Sequence, residues 1–199
     1  MFISFEGIDG SGKSTQAKRL AETLRNRGIA VSLTREPGGS EGAEQIRKLL
    51  VEGKGERWSP ETELLLFTAA RRDHVERLIT PALERNETVI SDRFADSSRV
   101  YQGLVRAENR QLVEELHRLM IVVEPDLTFI IDTDPSVARN RGVIRGGTED
   151  RFESLGLGFQ LRLREGFLAL AAEFPLRIRI IDGSGSEDEV AARVLSHLP

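Results

Sequence analysis

The chain has 199 residues, of which 39% are hydrophobic and 30% charged, and its formal net charge is −4. This length suits one globular domain with its own core, the negative charge gives no general affinity for nucleic acid, and no apolar run is long enough to span a membrane. The absence of cysteine excludes disulfides and thiolate metal sites, and together with the absence of a signal peptide pattern it predicts a cytoplasmic protein.

Five short apolar segments have the composition of buried strands. They are rich in Val, Ile and Phe and do not alternate strictly, as expected for a sheet covered on both faces. The predicted strands span residues 2–5, 29–34, 88–91, 127–131 and 178–181. Helical patterns lie between and after them, at residues 14–27, 40–51, 60–85, 109–122, 135–145, 159–173 and 187–198. Strands that alternate with helices predict an α/β fold of three layers, with a five-stranded parallel sheet flanked by helices.

Two of the predicted helices have clear start signals. Residues 59–61 read Ser-Pro-Glu, which supplies a capping hydroxyl, a proline at the first helical position and an early acid. Residues 134–135, Asp-Pro, give a similar start. Pro81 lies inside the pattern of residues 60–85, so we expect that helix to kink or end there.

The first predicted strand leads directly into a glycine-rich loop, Gly7-Ile-Asp-Gly-Ser-Gly-Lys-Ser14, which matches G-x-x-x-x-G-K-[ST] in full. The glycines allow backbone N–H groups to surround a polyphosphate, and the following helix adds its positive N-terminal end. Lys13 would reach the β- and γ-phosphates, and the Ser14 hydroxyl would bind Mg²⁺. The loop therefore predicts a nucleotide site, but it does not separate a kinase from an ATPase or a GTP switch.

Two arginines follow other predicted strands, at the same edge of the sheet as this loop. "TREPGG", residues 34–39, contains Arg35, and "SDRFADSSRVYQG", residues 91–103, contains Arg93. Ligands of open parallel sheets bind beyond the carboxyl ends of the strands. Several cations at one edge predict that two phosphorylated ligands meet there, and phosphoryl transfer depends on such positioning and charge neutralisation.

Two acids compete for a role at the metal. Asp92 ends the strand sequence "TVISD", and Asp132 ends "FIID". Either carboxylate could hold Mg²⁺, directly or through water. Spacing along the sequence does not rank them.

A candidate base-binding pair lies in "FTAARR", where Phe67 and Arg71 are one helical turn apart and share a face. An aromatic ring and a guanidinium together could stack on a base and bind its carbonyl edge. On spacing alone, however, the preferred interpretation is that Phe67 packs in the core.

Six segments in chain order resemble the thymidylate kinases, a family of nucleoside monophosphate kinases: "FEGIDGSGKST", "TREPGG", "FTAARR", "SDRFADSSRVYQG", "PDLTFIID" and "DRFE". The resemblance covers essentially the whole chain, residues 1–199, as one domain. It implies a P-loop kinase fold with a short lid, and transfer of the γ-phosphoryl group of ATP to dTMP, which gives dTDP for dTTP synthesis. It also implies Mg²⁺ as cofactor, ATP and dTMP as small-molecule partners and a homodimer, with no nucleic-acid or membrane partner.

The resemblance also implies roles for single residues. The ATP-binding residues would be Gly7, Ile8, Asp9, Gly10, Ser11, Gly12, Lys13, Ser14, Thr15, Arg139 and Arg141. The dTMP-binding residues would be Asp9, Glu36, Arg47, Phe67, Arg71, Arg93, Ser97, Tyr101 and Gln102. The catalytic residues would be Lys13, Asp92, Arg93 and Arg145, and the metal would lie at Ser14 and Asp92.

Within these sets, the resemblance implies more specific contacts. Phe67 would stack on thymine and Arg71 would bind its carbonyl, which reverses the interpretation from spacing alone. Glu36 would be an acid at the acceptor phosphate and metal, Arg93 would bridge the two phosphates, and Tyr101 would exclude a ribose 2′-OH. Asp92 is favoured over Asp132.

One departure within the family concerns the phosphate loop, where some members carry a basic residue. The variable positions here, residues 8–11, hold none, so the sequence fits the subtype that supplies this cation from a lid. The lid is predicted at approximately residues 139–151, and it offers Arg139, Arg141 and Arg145. Arg145, which is flanked by glycines, is the preferred candidate to contact the transferred phosphoryl group.

The predicted mechanism is direct in-line transfer without a covalent phosphoenzyme, because no histidine lies in the motifs; His74, His117 and His197 fall on helical patterns. Two alternatives remain. The chain could phosphorylate another nucleoside monophosphate or a deoxynucleoside, or it could be a non-catalytic nucleotide-dependent switch. A GTP switch would need the guanine-reading motif N-K-x-D, which the sequence lacks.

Overall fold

The computed structural model describes residues 1–52, 57–105, 109–145 and 156–198, and of residues 105 and 142–145 it describes the backbone only. In the parts of the chain that it describes, no helix is both long and apolar enough to cross a membrane.

Five parallel strands form one sheet in the order β2-β3-β1-β4-β5. The strands are β1 (Phe2–Glu6), β2 (Val31–Arg35), β3 (Thr88–Asp92), β4 (Leu127–Asp132) and β5 (Ile178–Asp182). All five predicted strands are present. Four of them begin at the predicted residue and run one residue further, into an acid, because strand pairing continues past the end of each apolar run.

Helices cover both faces of this sheet. They are α1 (Lys13–Asn26), α2 (Glu41–Val51), α3 (Pro60–His74), α4 (Thr80–Glu84), α5 (Ala95–Val105), α6 (Arg110–Leu116), α7 (Pro135–Arg145), α8 (Leu157–Glu173) and α9 (Glu187–Leu195). Apolar residues of α1 and α9 pack on one face with Phe5 and Phe129. Residues of α5 and α8 pack on the other face with Ile130. The α/β three-layer prediction is thus confirmed.

Helix α5 was not among the predicted helices. Its sequence, ADSSRVYQGLV, contains two serines and a glycine, which are poor helix formers, so local propensity gives little signal. The helix is stabilised by packing instead, because Val100 and Tyr101 lie against Phe159, Leu163 and Phe167 of α8.

Two long helical patterns are interrupted by π-helical turns. The first turn, Val75–Ile79, separates α3 from α4, and the Thr80 N–H bonds the carbonyl of Val75 five residues back. Pro81 has no N–H to continue the regular ladder, so the predicted disturbance begins one turn before it. A second π-helical turn, His117–Ile121, follows α6.

The predicted helix starts are confirmed by their hydrogen bonds. Ser59 Oγ accepts the Thr62 N–H at 3.2 Å, at the start of α3. Asp134 Oδ1 accepts the Ser136 N–H at 2.8 Å, at the start of α7. Such caps are local, which explains why the sequence alone predicts them well.

Candidate active site

The glycine-rich loop, residues 7–12, connects β1 to α1 and packs against α7. Gly10 has φ +80°, and a Cβ at this position would lie 2.0 Å from the carbonyl oxygen of Ala138. Only glycine allows both this backbone conformation and this close approach. The hydroxyl of Thr133 donates to the Ser11 carbonyl at 3.1 Å, which also ties the loop to the segment before α7.

The loop opens into a cleft of about 760 Å³ at the carboxyl ends of β1, β2 and β3. The cleft brings together many of the residues that the sequence singled out: Asp9, Gly10, Lys13, Ser14, Glu36, Arg47, Phe67, Arg71, Asp92, Arg93, Ser97, Tyr101 and Gln102. Arg35 also lines it, although its guanidinium lies 3.2 Å from both carboxylate oxygens of Glu44. The other predicted ATP-binding residues of the loop and of the first turn of α1 do not line this cleft: Gly7, Ile8, Ser11, Gly12 and Thr15.

Two cations meet one carboxylate at the centre of the cleft. Lys13 Nζ lies 3.3 Å from Asp9 Oδ1, and the guanidinium of Arg93 bonds the same oxygen. The Tyr101 hydroxyl donates to Asp9 Oδ2 at 3.3 Å and accepts from Arg93 Nη2 at 3.2 Å. This arrangement holds both cations where the loop meets the rest of the cleft.

The electrostatics of this centre follow from burial and close charges. Burial alone would raise the pKa of Asp9, but the charges of Arg93 and Lys13 outweigh it and hold that pKa below its usual range. Burial and the charge of Arg93 lower the pKa of Lys13. Burial raises the pKa of Tyr101. Asp9 is therefore ionised and Tyr101 is a neutral hydroxyl, as their hydrogen bonds require.

The direction of the Arg93 side chain is set by a strained turn after β3. Arg93 has φ 73°, in the left-handed region that a residue with a side chain seldom adopts. The Arg93 N–H bonds the Phe5 carbonyl at 2.9 Å, and Ser91 Oγ donates to the Arg93 carbonyl at 2.7 Å. Arg93 Nη1 then donates to Ser97 Oγ at 3.0 Å. These bonds hold the turn in place.

Glu6, which the sequence reasoning missed, supports the same turn from beneath. It is fully buried at the end of β1, and its carboxylate accepts the Phe94 N–H at 2.7 Å and the Ser97 hydroxyl at 2.6 Å. Burial and the charge of Asp96 raise the pKa of Glu6 to about 7. The sequence did carry a signal for this role, because Glu6 is an acid in the last position of a buried strand.

On the far side of the cleft, Arg71 is held by three hydrogen bonds. Its Nε donates to Glu36 Oε2 at 2.7 Å, and its Nη2 donates to the Phe94 carbonyl and to Ser98 Oγ, each at 3.1 Å. Phe67 lies one turn earlier on α3, half-buried and against the cleft. The structure thus places both residues at the cleft, and Phe67 does not lie in the core as spacing alone suggested.

Glu36 and Arg47 lie near this pair but already have protein partners. The second oxygen of Glu36, Oε1, is 3.0 Å from His74 Nδ1, so both of its oxygens are engaged. Arg47 Nη1 donates to the Pro37 carbonyl at 2.6 Å. His74 was missed at the sequence level, although its spacing of seven from Phe67 puts it on the same face of α3.

The structure separates the two acids that competed for the metal. Asp132 accepts two hydrogen bonds from Arg164 of α8, at 2.6 and 2.8 Å, so its carboxylate is occupied. Asp92 lines the cleft, and its buried Oδ1 has no hydrogen-bond partner within the described part of the chain. Of the two acids, Asp92 is therefore the one with a carboxylate oxygen that has no protein partner among the described residues.

These residues fit Mg²⁺ better than a metal held by protein alone. Among the described residues, no three His, Cys, Asp or Glu side chains are grouped to hold a metal. Magnesium does not need such a group, since it usually binds one or two carboxylates and completes its shell with phosphates and water. Asp92, with one unpaired carboxylate oxygen, and Ser14, with its hydroxyl, line the same cleft and match that pattern.

The predicted lid arginines lie on or after α7. Arg141 Nη1 lies 4.0 Å from where a Cβ at Gly12 would be, so its guanidinium is beside the phosphate loop. Arg139 is exposed on the same helix. The side chain of Arg145 and residues 146–151 of the predicted lid lie outside the described part of the chain.

Comparisons with known proteins agree across the whole chain. The family model described as "Thymidylate kinase" matches residues 5–194. A thymidylate kinase of Dinoroseobacter shibae is 66% identical over 196 residues, which cover 98% of this chain and 95% of the relative. A thymidylate kinase of Ruegeria pomeroyi is 60% identical over 202 residues, which cover 100% of this chain and 96% of the relative. The crystal structure of thymidylate kinase from Ehrlichia chaffeensis superposes with a TM-score of 0.80, at 38% identity, and covers 100% of this chain and 98% of that one.

Proposed function

This chain belongs to the thymidylate kinase family, and from that premise we propose how its cleft transfers a phosphoryl group to dTMP. The chain is a nucleoside monophosphate kinase that phosphorylates dTMP to dTDP, a step in dTTP synthesis, with ATP as the donor used by the family. The proposal rests above all on one observation. Lys13 and Arg93 share the carboxylate of Asp9, at the point where the phosphate loop meets the residues proposed to bind the nucleotide acceptor.

The donor half of the cleft consists of the loop and the start of α1. Backbone N–H groups of residues 7–15 surround the ATP phosphates, and Lys13 neutralises charge on the β- and γ-phosphates. Arg139 and Arg141 of α7 contribute positive charge from the other side. Arg141 is supported by its position beside Gly12.

The acceptor half is formed by β2, α2, α3 and α5. Phe67 stacks on thymine and Arg71 donates to its carbonyl. Glu36 acts by holding Arg71, because both of its carboxylate oxygens are engaged by protein donors. The remaining proposed contacts to the phosphate and sugar come from Asp9, Arg47, Arg93, Ser97, Tyr101 and Gln102, all of which line the cleft.

Transfer between the halves is a direct in-line displacement. An acceptor phosphate oxygen is already anionic, so no side chain has to remove a proton from it. Arg93 contacts both phosphates, and Lys13 with a lid arginine neutralises the charge that develops. A chiral γ-thiophosphate donor should therefore give inversion at phosphorus. Retention of configuration would indicate a covalent phosphoenzyme and contradict this mechanism.

Asp92 and Ser14 would hold Mg²⁺ at the boundary of the two halves. When bound there, the metal would supply charge neutralisation on the donor phosphates. The chain's own part is to supply the unpaired carboxylate oxygen of Asp92 and the hydroxyl of Ser14. Asp92→Asn should lower kcat and raise the Mg²⁺ concentration needed for half-maximal rate, whereas Asp132→Asn should leave the Mg²⁺ requirement unchanged because Asp132 is paired with Arg164.

The acceptor specificity can be tested by ADP release in the presence of dTMP, dUMP, dCMP, dGMP or AMP. We expect dTMP to give the highest kcat/KM. Arg71→Gln should reduce kcat/KM for dTMP and leave the KM for ATP unchanged, since Arg71 lies in the acceptor half. Preference for another acceptor would support the alternative kinase, and absence of turnover with all of them would support a nucleotide-dependent switch.

The lid arginines require a separate test, because Arg145 stays a prediction from sequence. Arg145→Ala and Arg141→Ala should each be compared with the native chain. For the arginine that contacts the transferred phosphoryl group, the alanine variant should have a kcat about 100-fold lower than the native chain, with little change in the KM for dTMP. Equal losses in kcat and in dTMP affinity would contradict a lid role for that residue.

We further propose a cytoplasmic homodimer. Exposed apolar side chains on α3 and on the segment after α6 form one candidate face: Leu65, Leu119, Met120 and Val122. Arg72 Nη1 donates to the Met120 carbonyl at 2.7 Å, which keeps the two segments together. Sedimentation should show a dimer that Leu119→Glu converts to a monomer, while Leu176→Glu, at an exposed position just before the edge strand β5, does not. A native monomer would contradict this proposal.

A further inference from the structure

Behind the acceptor half of the cleft lies a buried histidine that none of the roles above uses. We propose that His74 is a positioning residue for base recognition, which holds Glu36 so that Glu36 holds Arg71. The proposal rests on the role proposed above for Arg71 in dTMP binding. It adds that the KM for dTMP depends on a side chain that does not itself touch the nucleotide.

The side chain of His74, in α3, contacts Thr34 in β2 and Glu36 just after β2. The ring is completely buried at the C-terminal end of α3. Its Nδ1 lies 3.0 Å from Glu36 Oε1, and its Nε2 lies 2.7 Å from Thr34 Oγ1. Glu36 Oε2 accepts from Arg71 Nε at 2.7 Å. The four side chains thus form one continuous chain of hydrogen bonds, from Thr34 through His74 and Glu36 to Arg71.

The proton positions in this chain follow from the acid. Burial alone would raise the pKa of Glu36, but the charge of Arg71 and the contact with His74 outweigh it and lower that pKa. Glu36 is therefore a carboxylate that only accepts hydrogen bonds, so His74 Nδ1 must donate. Nε2 is engaged by the Thr34 hydroxyl, 2.7 Å away. Both ring nitrogens therefore have partners, which fixes the orientation of the imidazole.

The same chain determines which nitrogen of Arg71 is available to a ligand. Nε is bonded to Glu36, and Nη2 is bonded to the Phe94 carbonyl and to Ser98 Oγ. Nη1 is left without a hydrogen bond within the described part of the chain, on a residue that lines the cleft. A guanidinium held at two nitrogens presents the third in a defined geometry, as recognition of a carbonyl requires.

Loss of the His74 donor should loosen this geometry. Without Nδ1–H, Oε1 of Glu36 would be a buried acceptor without a partner, and its carboxylate would rotate away from Arg71. The expected result is a rise in the KM for dTMP of about tenfold or more, because the lost hydrogen bond involves a charged group. The KM for ATP should not change, since none of these residues belongs to the donor half.

Two amide variants separate the proposed role from simple packing. The side-chain NH₂ of His74→Asn lies near the position of Nδ1 and can still donate to Glu36. That of His74→Gln lies near the position of Nε2 and can reach only Thr34. We expect Asn to keep the KM for dTMP within about threefold of the native value and Gln to raise it about tenfold, at equal KM for ATP. A residue with only a structural role would lower the unfolding temperature in both variants and leave both KM values unchanged.

Arg71→Gln serves as the reference that separates the two proposals. If Arg71→Gln leaves the KM for dTMP unchanged, the proposed role of Arg71 is wrong. If Arg71→Gln raises it but the two variants at position 74 behave alike, the role of His74 is wrong. If the variants at position 74 do not fold, Thr34→Val and Thr34→Ser test the same chain. Val should raise the KM for dTMP several-fold and Ser should not, and equal values would overturn the proposal.

Discussion

At the scale of single residues, three acids near the phosphate loop differ in their partners and surroundings. Asp9 lies against Lys13 and Arg93 and is ionised. Glu6 ends β1 directly before the loop, is fully buried, and has a pKa raised to about 7. Asp92 lines the cleft, and its buried Oδ1 has no hydrogen-bond partner within the described part of the chain. One acid thus pairs with the two cations, one supports the Arg93 turn, and the third is the one proposed above to hold the metal.

The raised pKa of Glu6 predicts a measurable dependence of stability on pH. Burial and then Asp96 raise this pKa, whereas Ser97, Arg93 and the Phe94 N–H lower it, and the result is a pKa of about 7 against 4.5 for the unfolded carboxyl. Between these values the folded state holds a proton that the unfolded state has lost, so this contribution is present below pH 4.5 and disappears as the pH rises to about 7.

Glu6→Gln removes this titration. The free energy of unfolding of the variant minus that of the native chain should therefore increase between about pH 4.5 and pH 7, by up to roughly 3 kcal/mol. Denaturant titrations of both proteins at several pH values measure this difference. A difference that stays constant across the window would show that Glu6 does not titrate there.

At the scale of secondary-structure elements, the position of α7 depends on the phosphate loop. Gly10 allows the loop backbone to touch the carbonyl of Ala138, and Arg141 on the same helix reaches the loop beside Gly12. The loop and the helix that begins the predicted lid are therefore packed without an intervening side chain. A change in one should displace the other.

Gly10→Ala tests this packing. The new Cβ would lie 2.0 Å from a backbone oxygen, so α7 must shift, and we expect kcat to fall at least tenfold with a raised KM for ATP. Gly28→Ala is the matched control, since Gly28 has nearly the same φ, +79°, but nothing within 4 Å of the added Cβ. It should cost about 1 kcal/mol of stability from backbone strain and keep full activity. Equal activity of the two variants would show that the close approach has no functional role.

Helix α5 is held to the sheet by a buried ion network around Asp96. Arg177 bonds both Asp96 oxygens, at 2.6 and 2.9 Å, and Arg99 bonds one at 2.8 Å. Arg177 also donates to Thr128 of β4 at 3.0 Å. The network thus joins the start of α5 to β4 and to the residue before β5.

Asp96→Asn should destabilise the fold by about 3 kcal/mol, because buried Arg99 and half-buried Arg177 lose the charge of the buried carboxylate that joins them. Glu124 remains near both guanidinium groups but is more exposed than Asp96. The exposed pair Arg118–Glu115 provides the comparison, and Glu115→Gln should change the unfolding free energy by less than about 1 kcal/mol. Urea denaturation at neutral pH measures both changes. A loss below about 1 kcal/mol for Asp96→Asn would mean that the network does not hold α5.

At the scale of the whole molecule, the cleft has two separable halves. Proposed donor contacts come from the loop, α1 and α7, and proposed acceptor contacts from β2, α2, α3 and α5. The metal-side residues Asp92 and Ser14 lie at the donor phosphates in this scheme. The acceptor residues Arg47, Phe67 and Arg71 are not proposed to contact the metal.

Chelation should therefore separate turnover from acceptor binding. EDTA should abolish ADP formation, while calorimetry without ATP should show dTMP binding within a few-fold of its value with Mg²⁺. The reason is that Arg47 and Arg93 supply the positive charge proposed to face the acceptor phosphate. Loss of dTMP binding in EDTA would place the metal at the acceptor phosphate and contradict the proposed division of the cleft.

Several features follow from the sequence by itself, because they depend on local chemistry. Buried strands need apolar runs, so all five were found to within one residue at their carboxyl ends. The glycine-rich loop, the cap at Ser59 and the cap at Asp134 depend on residues a few positions apart, and each is present in the structure. The family motifs are also contiguous, which explains why the family was identified before any geometry was known.

Tertiary structure decided what depends on residues far apart in the chain. Asp132 is occupied by Arg164, 32 residues away, and Glu36 by His74, 38 residues away, so neither pairing has a local signal. Helix α5 exists because it packs on α8, against its own weak propensity. Likewise, only the tertiary structure shows that Oδ1 of Asp92 has no hydrogen-bond partner among the described residues. Local residues thus specify the elements and the phosphate loop, whereas long-range packing determines which polar groups are engaged and which are left for a ligand.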